Sequence, residues 1–314
     1  MKRVRGSSRV IAAVSATLLA ALTLSACGSN TSSNTSQPGV INAIGAENQY
    51  ANVLGQIGGK YVHVTSILNN PNTDPHTFEA STSVAEAVSN AQLIVQNGLG
   101  YDDFMNNIES ASPNAARKVI VVQHVLKLPD STPNPHLWYE PATMPAVASV
   151  MATDLAQIDP HHAKYFRARL AAFTASLGRW YAAIAAVHAH YGGTPVAVTE
   201  PVADYLLQAM GLHIVTPFVF QADIMNGVDP APEDITLEDG FFTHHEVKVF
   251  CYNEQVVDAL TSSIRDTATA AHVPVVGVYE TMPEPGYTYQ SWMLAEVAAI
   301  RAAIANGTST EHLS

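Results

Sequence analysis

The chain has 314 residues, 47% of them apolar and 13% charged, which excludes general disorder and supplies a core for one large domain or two lobes. A formal charge of −12 disfavours nucleic acid as a partner and suits cations as ligands. Two cysteines argue against a disulfide framework, and the absence of an internal period argues against a solenoid.

The opening residues read as an export signal. Lys2, Arg3, Arg5 and Arg9 precede an apolar stretch over 10–24 that ends in Leu24-Ser25-Ala26-Cys27. Charge, apolar segment and small residues in that order mark a secretory leader, and the stretch is shorter than the ~20 residues of a transmembrane helix. A cysteine directly after Leu-Ser-Ala is similar to the bacterial lipoprotein signal, in which that residue, here Cys27, becomes the lipidated start of the mature chain. Residues 1–26 are therefore expected to be removed. Residues 27–39, polar beyond the cysteine, are expected to tether the protein to the outer face of the cell membrane. Cleavage takes away four basic residues and no acidic one, moving the formal charge from −12 to about −16. Cys251 is then the only other thiol, so neither an intrachain disulfide nor a cysteine-based zinc site can form.

From residue 40 onward, short apolar runs alternate with helical patterns. Candidate strands cover 40–44, 61–68, 93–96, 119–122, 195–198, 247–251 and 273–278. Their continuous apolar, β-branched character suits parallel strands covered on both faces. Helical segments such as 84–90, 102–109 and 201–210 lie between them, and the alternation predicts an α/β fold. One segment stands apart. Phe166, Leu170, Phe173, Leu177, Trp180, Ile184, Val187 and Tyr191 recur at steps of four and three, with Asp159 as N-cap, Pro160 at the first helical position and Gly192-Gly193 as a stop. A helix over 160–191 spans about 48 Å, longer than a single crossover needs. It divides the strands into two sets, so the expected organisation is an α/β lobe over 40–159, a linking helix over 160–191 and a second α/β lobe over 192–314.

In an open α/β sheet, ligands bind beyond the carboxyl ends of the strands. Four titratable residues fall there. His76 follows the strand 61–68, His136 follows 119–122 and a loop, Glu200 ends the run 195–199 and precedes Pro201, and Glu280 directly follows 275–279. Two come from each half, so a cleft between facing lobes would gather them. Two imidazoles and two carboxylates suit Zn²⁺, Mn²⁺ or similar ions. Both histidines share a Pro-His-x-aromatic setting, Pro75-His76-Thr77-Phe78 and Pro135-His136-Leu137-Trp138, whose aromatic can wall the site. Taken singly, each histidine reads as a capped loop residue and each glutamate as a helix-dipole or solvated turn residue; the combination points to a cation. Asp204, one turn past Glu200, and Glu284, four residues past Glu280, are alternative ligands. His161, His162, His188 and His190 read as solvent-facing residues on or beside the long helix.

At these residues the chain resembles the zinc/manganese solute-binding lipoproteins of ABC importers. The likeness lies in Val40 to Ile44, Gln56 to Val64, Asp74 to Glu79, Asn134 to Trp138, Thr199 to Tyr205, Asp229 to Ile235, Val247 to Asn253 and Val273 to Val278. It implies two lobes joined by one long helix and a monomer that holds one ion between them through His76, His136, Glu200 and Glu280. It also implies delivery to a membrane permease driven by a separate ATPase, in keeping with the lack of a phosphate-binding Gly-x-x-x-x-Gly-Lys-Ser/Thr loop. Two departures bear on the cargo. The third motif often carries His and here offers Glu200, and the fourth often carries Asp and here offers Glu280. With no long His/acid-rich loop, these features favour an oxygen-richer, manganese-like shell, although such a site usually holds Zn²⁺ more tightly than Mn²⁺. The rival readings are a secreted metallohydrolase, for which no His-Glu-x-x-His or Gly-x-Ser-x-Gly motif is present, and a surface adhesin, for which no specific feature is present.

Overall fold

Short runs of two to seven residues become the strands of two separate sheets in a computed structural model, which describes residues 39–70, 78–283 and 285–313. β1 (Ile41–Glu47), β2 (Val62–Leu68), β3 (Leu93–Gln96) and β4 (Lys118–Val121) pair in parallel in the order β2-β1-β3-β4. β5 (Pro195–Val198), β6 (His213–Ile214), β7 (Phe250–Asn253) and β8 (Val275–Val278) repeat the arrangement as β6-β5-β7-β8. In each sheet the order reverses between the first and third strands, which opens a crevice at their carboxyl ends. β3, β7 and β8 are buried along their whole length, as their unbroken apolar runs predict.

Several boundaries shift for local reasons. The run 273–278 pairs only from Val275, because Pro274 has no amide to donate; its carbonyl accepts the Phe250 amide at 2.9 Å. β6 has two residues, too few for any period to show. The segment 201–210 begins as a 3₁₀ turn over Pro201–Ala203 before its α-helix starts at Asp204.

Twelve α-helices surround the sheets among the described residues. The first lobe carries α1 (Asn48–Gly58), α2 (Thr82–Asn90), α3 (Asp103–Ala111), α4 (Val122–Leu126) and α5 (Thr143–Ile158). The long helix comprises α6 (Ala163–Ser176) and α7 (Gly178–Tyr191), and with its opening turn it runs from Pro160 to Tyr191. The second lobe adds α8 (Asp204–Ala209), α9 (Phe218–Met225), α10 (Pro232–Thr243), α11 (Ala259–Ala270) and α12 (Tyr289–Asn306). The chain thus has the α/β architecture of two parallel-sheet lobes with one long helix between them.

Phe166, Phe173, Leu177, Trp180, Ile184 and Val187 are buried along one stripe of the long helix. The helix bends at Leu177. The Ser176 hydroxyl donates to the Phe173 carbonyl at 2.6 Å, the Leu177 amide turns to Thr174 at 3.3 Å, and Gly178 follows. A serine–glycine pair that diverts the backbone ladder is a sufficient cause of such a kink. Asp159 does not cap the helix through its side chain. Its carboxylate instead bonds His162 Nδ1 at 2.5 Å, which holds its pKa below the usual range. His162 is accordingly not a free surface residue, since its ring stacks on Tyr61 with centroids 3.7 Å apart.

One buried cluster runs through both halves, from β1 and α1 through Trp138, Tyr139 and Trp180 to Tyr289 and Trp292. Hydrogen bonds cross with it. Tyr289 Oη donates to the Trp138 carbonyl (2.7 Å), and Tyr139 Oη to the Tyr279 carbonyl (2.9 Å). The Asn48 amide exchanges bonds with Met282 at 2.7 and 2.8 Å. The lobes are thus fused by their core rather than merely tethered, and truncating Trp292 to alanine is expected to cost on the order of 3–5 kcal/mol.

Burial pushes the carboxyls of Glu238 and Glu296 up to about 8. An unfolded glutamate titrates near ~4.3, so between that pH and ~8 the folded state binds protons that the unfolded chain has released. The resulting stability is fully present below ~4.3 and is lost as pH rises through the folded value. Glu296→Gln keeps a carbonyl acceptor for Trp292 Nε1–H but cannot ionise. It is expected to melt several degrees above wild type at pH 8–9, with the difference closing near pH 5. Thermal scans of the metal-free protein across that range test this; a pH-independent difference would refute it.

Candidate metal centre

Glu200 and Glu280 each stand two residues beyond a strand, β5 and β8, at the carboxyl edge of the second sheet. Pro201 keeps the Glu200 backbone extended (φ −143°, ψ 165°) and starts the next turn. His136 comes from the other lobe, in the turn before the 3₁₀ segment Leu137–Tyr139. His136 and Glu280 are 0% exposed and Glu200 is 2% exposed.

His136 meets Glu280 directly, and Glu200 is linked to Glu280 through Asn253. His136 Nε2 lies 3.4 Å from Glu280 Oε2. The other ring nitrogen, Nδ1, lies 2.8 Å from Asn134 Oδ1, which also accepts the His136 amide at 3.0 Å. Asn134 Nδ2 donates to the Pro201 carbonyl at 2.7 Å, which fixes the amide orientation and makes Oδ1 the acceptor. Nδ1 therefore carries the hydrogen, and Nε2 presents its lone pair to whichever cation, a proton or a metal ion, joins it to the Glu280 carboxylate. Trp138 walls the imidazole at 5.4 Å between centroids, as the Pro-His-x-aromatic pattern predicts, and Tyr101 adds a second wall at 5.8 Å. Phe78, the matching aromatic of the His76 motif, packs on Phe104 instead.

Asn253, the last residue of β7, holds the carboxylates together. Its Nδ2 donates to Glu200 Oε1 at 3.0 Å and to Glu280 Oε1 at 2.8 Å. Tyr101 Oη donates to Glu280 Oε2 at 2.9 Å; burial first, and then the Glu280 charge, hold this phenol well above its ordinary pKa, so it stays a donor. The Glu280 backbone is also fixed. Its amide and that of Thr281 both donate to Gln255 Oε1, at 2.7 and 2.8 Å, and its carbonyl accepts Gln49 Nε2 at 3.2 Å. Behind Tyr101, Asp102 accepts the Asn97 and Gly98 amides, and burial pushes it up to about 6. Glu47, at the end of β1, is pushed well above its usual range by burial and by Asp102.

His76, Glu284 and Cys27 lie outside the described residues. Among those described, no group of three or more His, Cys, Asp and Glu side chains is assembled for an ion, and Asn253 donates to both carboxylates. Gln255 Nε2 donates to the Asn70 carbonyl at 3.5 Å. Asp204 is buried at 5% exposure, and burial alone pushes its carboxyl up to about 7. No hydrogen bond or ion pair ties Asp204 Oδ1 to another group among the described residues. The donor set of an imidazole nitrogen and carboxylate oxygens fits a borderline divalent ion.

Two α/β lobes with candidate ligands meeting at their common cleft are the build of a two-lobed binding protein. The chain belongs to the zinc-uptake complex component A (ZnuA) periplasmic family, whose model matches residues 46–303. The manganese-binding lipoprotein MntA of Bacillus subtilis is 27% identical over 161 residues, covering 49% of this chain and 52% of that protein. The zinc-binding protein TroA of Treponema pallidum is 25% identical over 159 residues, covering 49% and 50%. The chain thus matches about half the length of these two relatives, whereas a putative metal-binding protein of T. pallidum, 22% identical over 248 residues, is matched over 75% of its length. In fold, the chain superposes on the crystal structure of ZnuA with a TM-score of 0.69 at 21% identity, covering 85% of this chain and all of the other. On TroA the TM-score is 0.72 at 17% identity, covering 86% of this chain and all of the other.

Asn134→Ala leaves His136 Nδ1–H without its acceptor and cuts the link to Pro201. It is expected to weaken Zn²⁺ binding about 10- to 100-fold, while Asn134→Asp, which keeps the acceptor, loses less. Titration calorimetry on both variants, with folding checked by circular dichroism, tests the assignment; equal losses would contradict it.

Proposed function

We propose that the protein captures one divalent transition-metal ion, Zn²⁺ or Mn²⁺, outside the cytoplasm and delivers it to the membrane permease of an ABC importer. The ligands are His76, His136, Glu200 and Glu280. The observation that carries this reading is the 3.4 Å approach of His136 Nε2 to Glu280 Oε2, with Asn253 yoking Glu200 to the same carboxylate in a fully buried site. A divalent cation would join the imidazole nitrogen to these carboxylates, to which Asn253 and Tyr101 supply only neutral donors. The zinc, manganese and metal-binding names of the relatives support the same reading. Cys27 is the lipid anchor, residues 1–26 are the leader, and the protein acts as a monomeric carrier rather than an enzyme. Two glutamates give an oxygen-rich shell that accommodates Mn²⁺, while the imidazoles keep Zn²⁺ the tighter ligand in a test tube.

His76→Ala, His136→Ala and Glu280→Ala are each expected to weaken Zn²⁺ and Mn²⁺ binding by about two orders of magnitude or more, with the fold intact. Wild-type affinity in the two histidine variants would overturn the ligand assignment. Metal analysis of protein dialysed against a defined Zn²⁺/Mn²⁺ mixture, paired with intracellular metal content in a deletion strain, identifies the cargo. An unchanged metal content in the deletion strain would refute delivery.

A further inference from the structure

We infer that residues 309–313 are a positioning strap that fixes Glu280 and its Asn253–Gln255 support from outside the second sheet, an inference resting on the reading of Glu280 as a metal ligand. α12 stops at Gly307, whose φ of 68° turns the chain back along β8. There the Thr310 amide donates to the Val275 carbonyl at 2.8 Å and the Gly277 amide to the Thr310 carbonyl at 2.9 Å, a parallel bridge on the strand's outer edge. The Val275 amide donates to Ser309 Oγ at 3.1 Å.

The contacts continue past the end of the strand. Tyr279 Oη donates to the Glu311 carbonyl at 3.4 Å and accepts the Leu313 amide at 3.1 Å. His312 Nδ1 lies 3.1 Å from Glu254 Oε2. Tyr279 immediately precedes Glu280, and Glu254 stands between Asn253 and Gln255, so the strap holds the residues adjoining the ligand and its clamp. Glu254 in turn donates its amide to the Val278 carbonyl at 3.1 Å. Gln255 grips the Glu280 amide from one side and the strap grips Tyr279 from the other.

Gly277 makes the close approach feasible. A Cβ there would lie 1.9 Å from the Glu311 carbonyl oxygen and 2.7 Å from Glu254 Cγ. Mere protection of the sheet edge accounts for the Thr310 bridge. It does not account for bonds that run on to Tyr279 and Glu254, beyond the strand. Ligands perform when their supports hold them within about 0.5 Å, and here the support comes from a segment about 30 residues away in sequence.

Thr310→Pro deletes the donor to Val275 without altering β8 or any ligand, and Gly277→Ala displaces the strap from the opposite side. Both are expected to lower Co²⁺ and competing Zn²⁺ affinity about 10- to 100-fold. The visible spectrum of the Co²⁺-saturated protein should change in both, while the metal-free Tm of Thr310→Pro stays within about 4 °C of wild type and that of Gly277→Ala falls further because its Cβ meets the Glu311 backbone. Tyr279→Phe should show a smaller loss in the same direction. Wild-type affinity and spectrum in Thr310→Pro, or an affinity loss that follows Tm with a native Co²⁺ spectrum, would overturn the strap. Failure of the wild type to bind Co²⁺, or wild-type binding by Glu280→Ala, would instead overturn the ligand assignment on which the strap's role depends.

Discussion

Two carboxylates buried within reach of one amide nitrogen are the constraint around which this molecule is organised. Glu200 and Glu280 are out of reach of water, which is costly unless protein groups replace it. The chain meets that cost with fixed neutral donors, the Asn253 amide and the Tyr101 hydroxyl. Each side chain around the acids needs its own anchor. Asn253 sits on a buried strand, Tyr101 on a loop tied down by Asp102, and His136 on Asn134. The requirement to hold acids together away from water thus propagates through both sheets.

Much of the fold was legible because burial on both faces of a parallel strand leaves an unbroken apolar run. Residues 93–96 and 195–198 match their strands to the residue for that reason. β6 was not legible, since two residues carry no pattern, and neither was the bend at Leu177, which depends on a single hydroxyl diverting a carbonyl. Asp159 illustrates a competition: its position suits a cap, but an imidazole three residues on offers a stronger partner.

The candidate centre shows the same division. Glu200, Glu280 and His136 could be found because strand ends and a Pro-His motif mark their places. Their supports could not. Tyr101 and the amide residues Asn134, Asn253 and Gln255 carry no charge and follow no period, and their roles arise only when distant segments meet, as His136 and Glu280 do across 144 positions. Asn134 and Asn253 both stand inside stretches that resemble the family, yet resemblance alone assigns them no task.

Cys251 lies in β7 beside these groups, buried, with burial the chief cause pushing its thiol pKa far up. It packs as a small hydrophobe, neither ionised nor reachable. A protein of a periplasmic family meets oxidants and soft metal ions that attack thiolates. Sequestering this sulfur in the sheet leaves the folded chain with no thiolate among its described residues to be oxidised, to cross-link two copies, or to capture a soft metal ion.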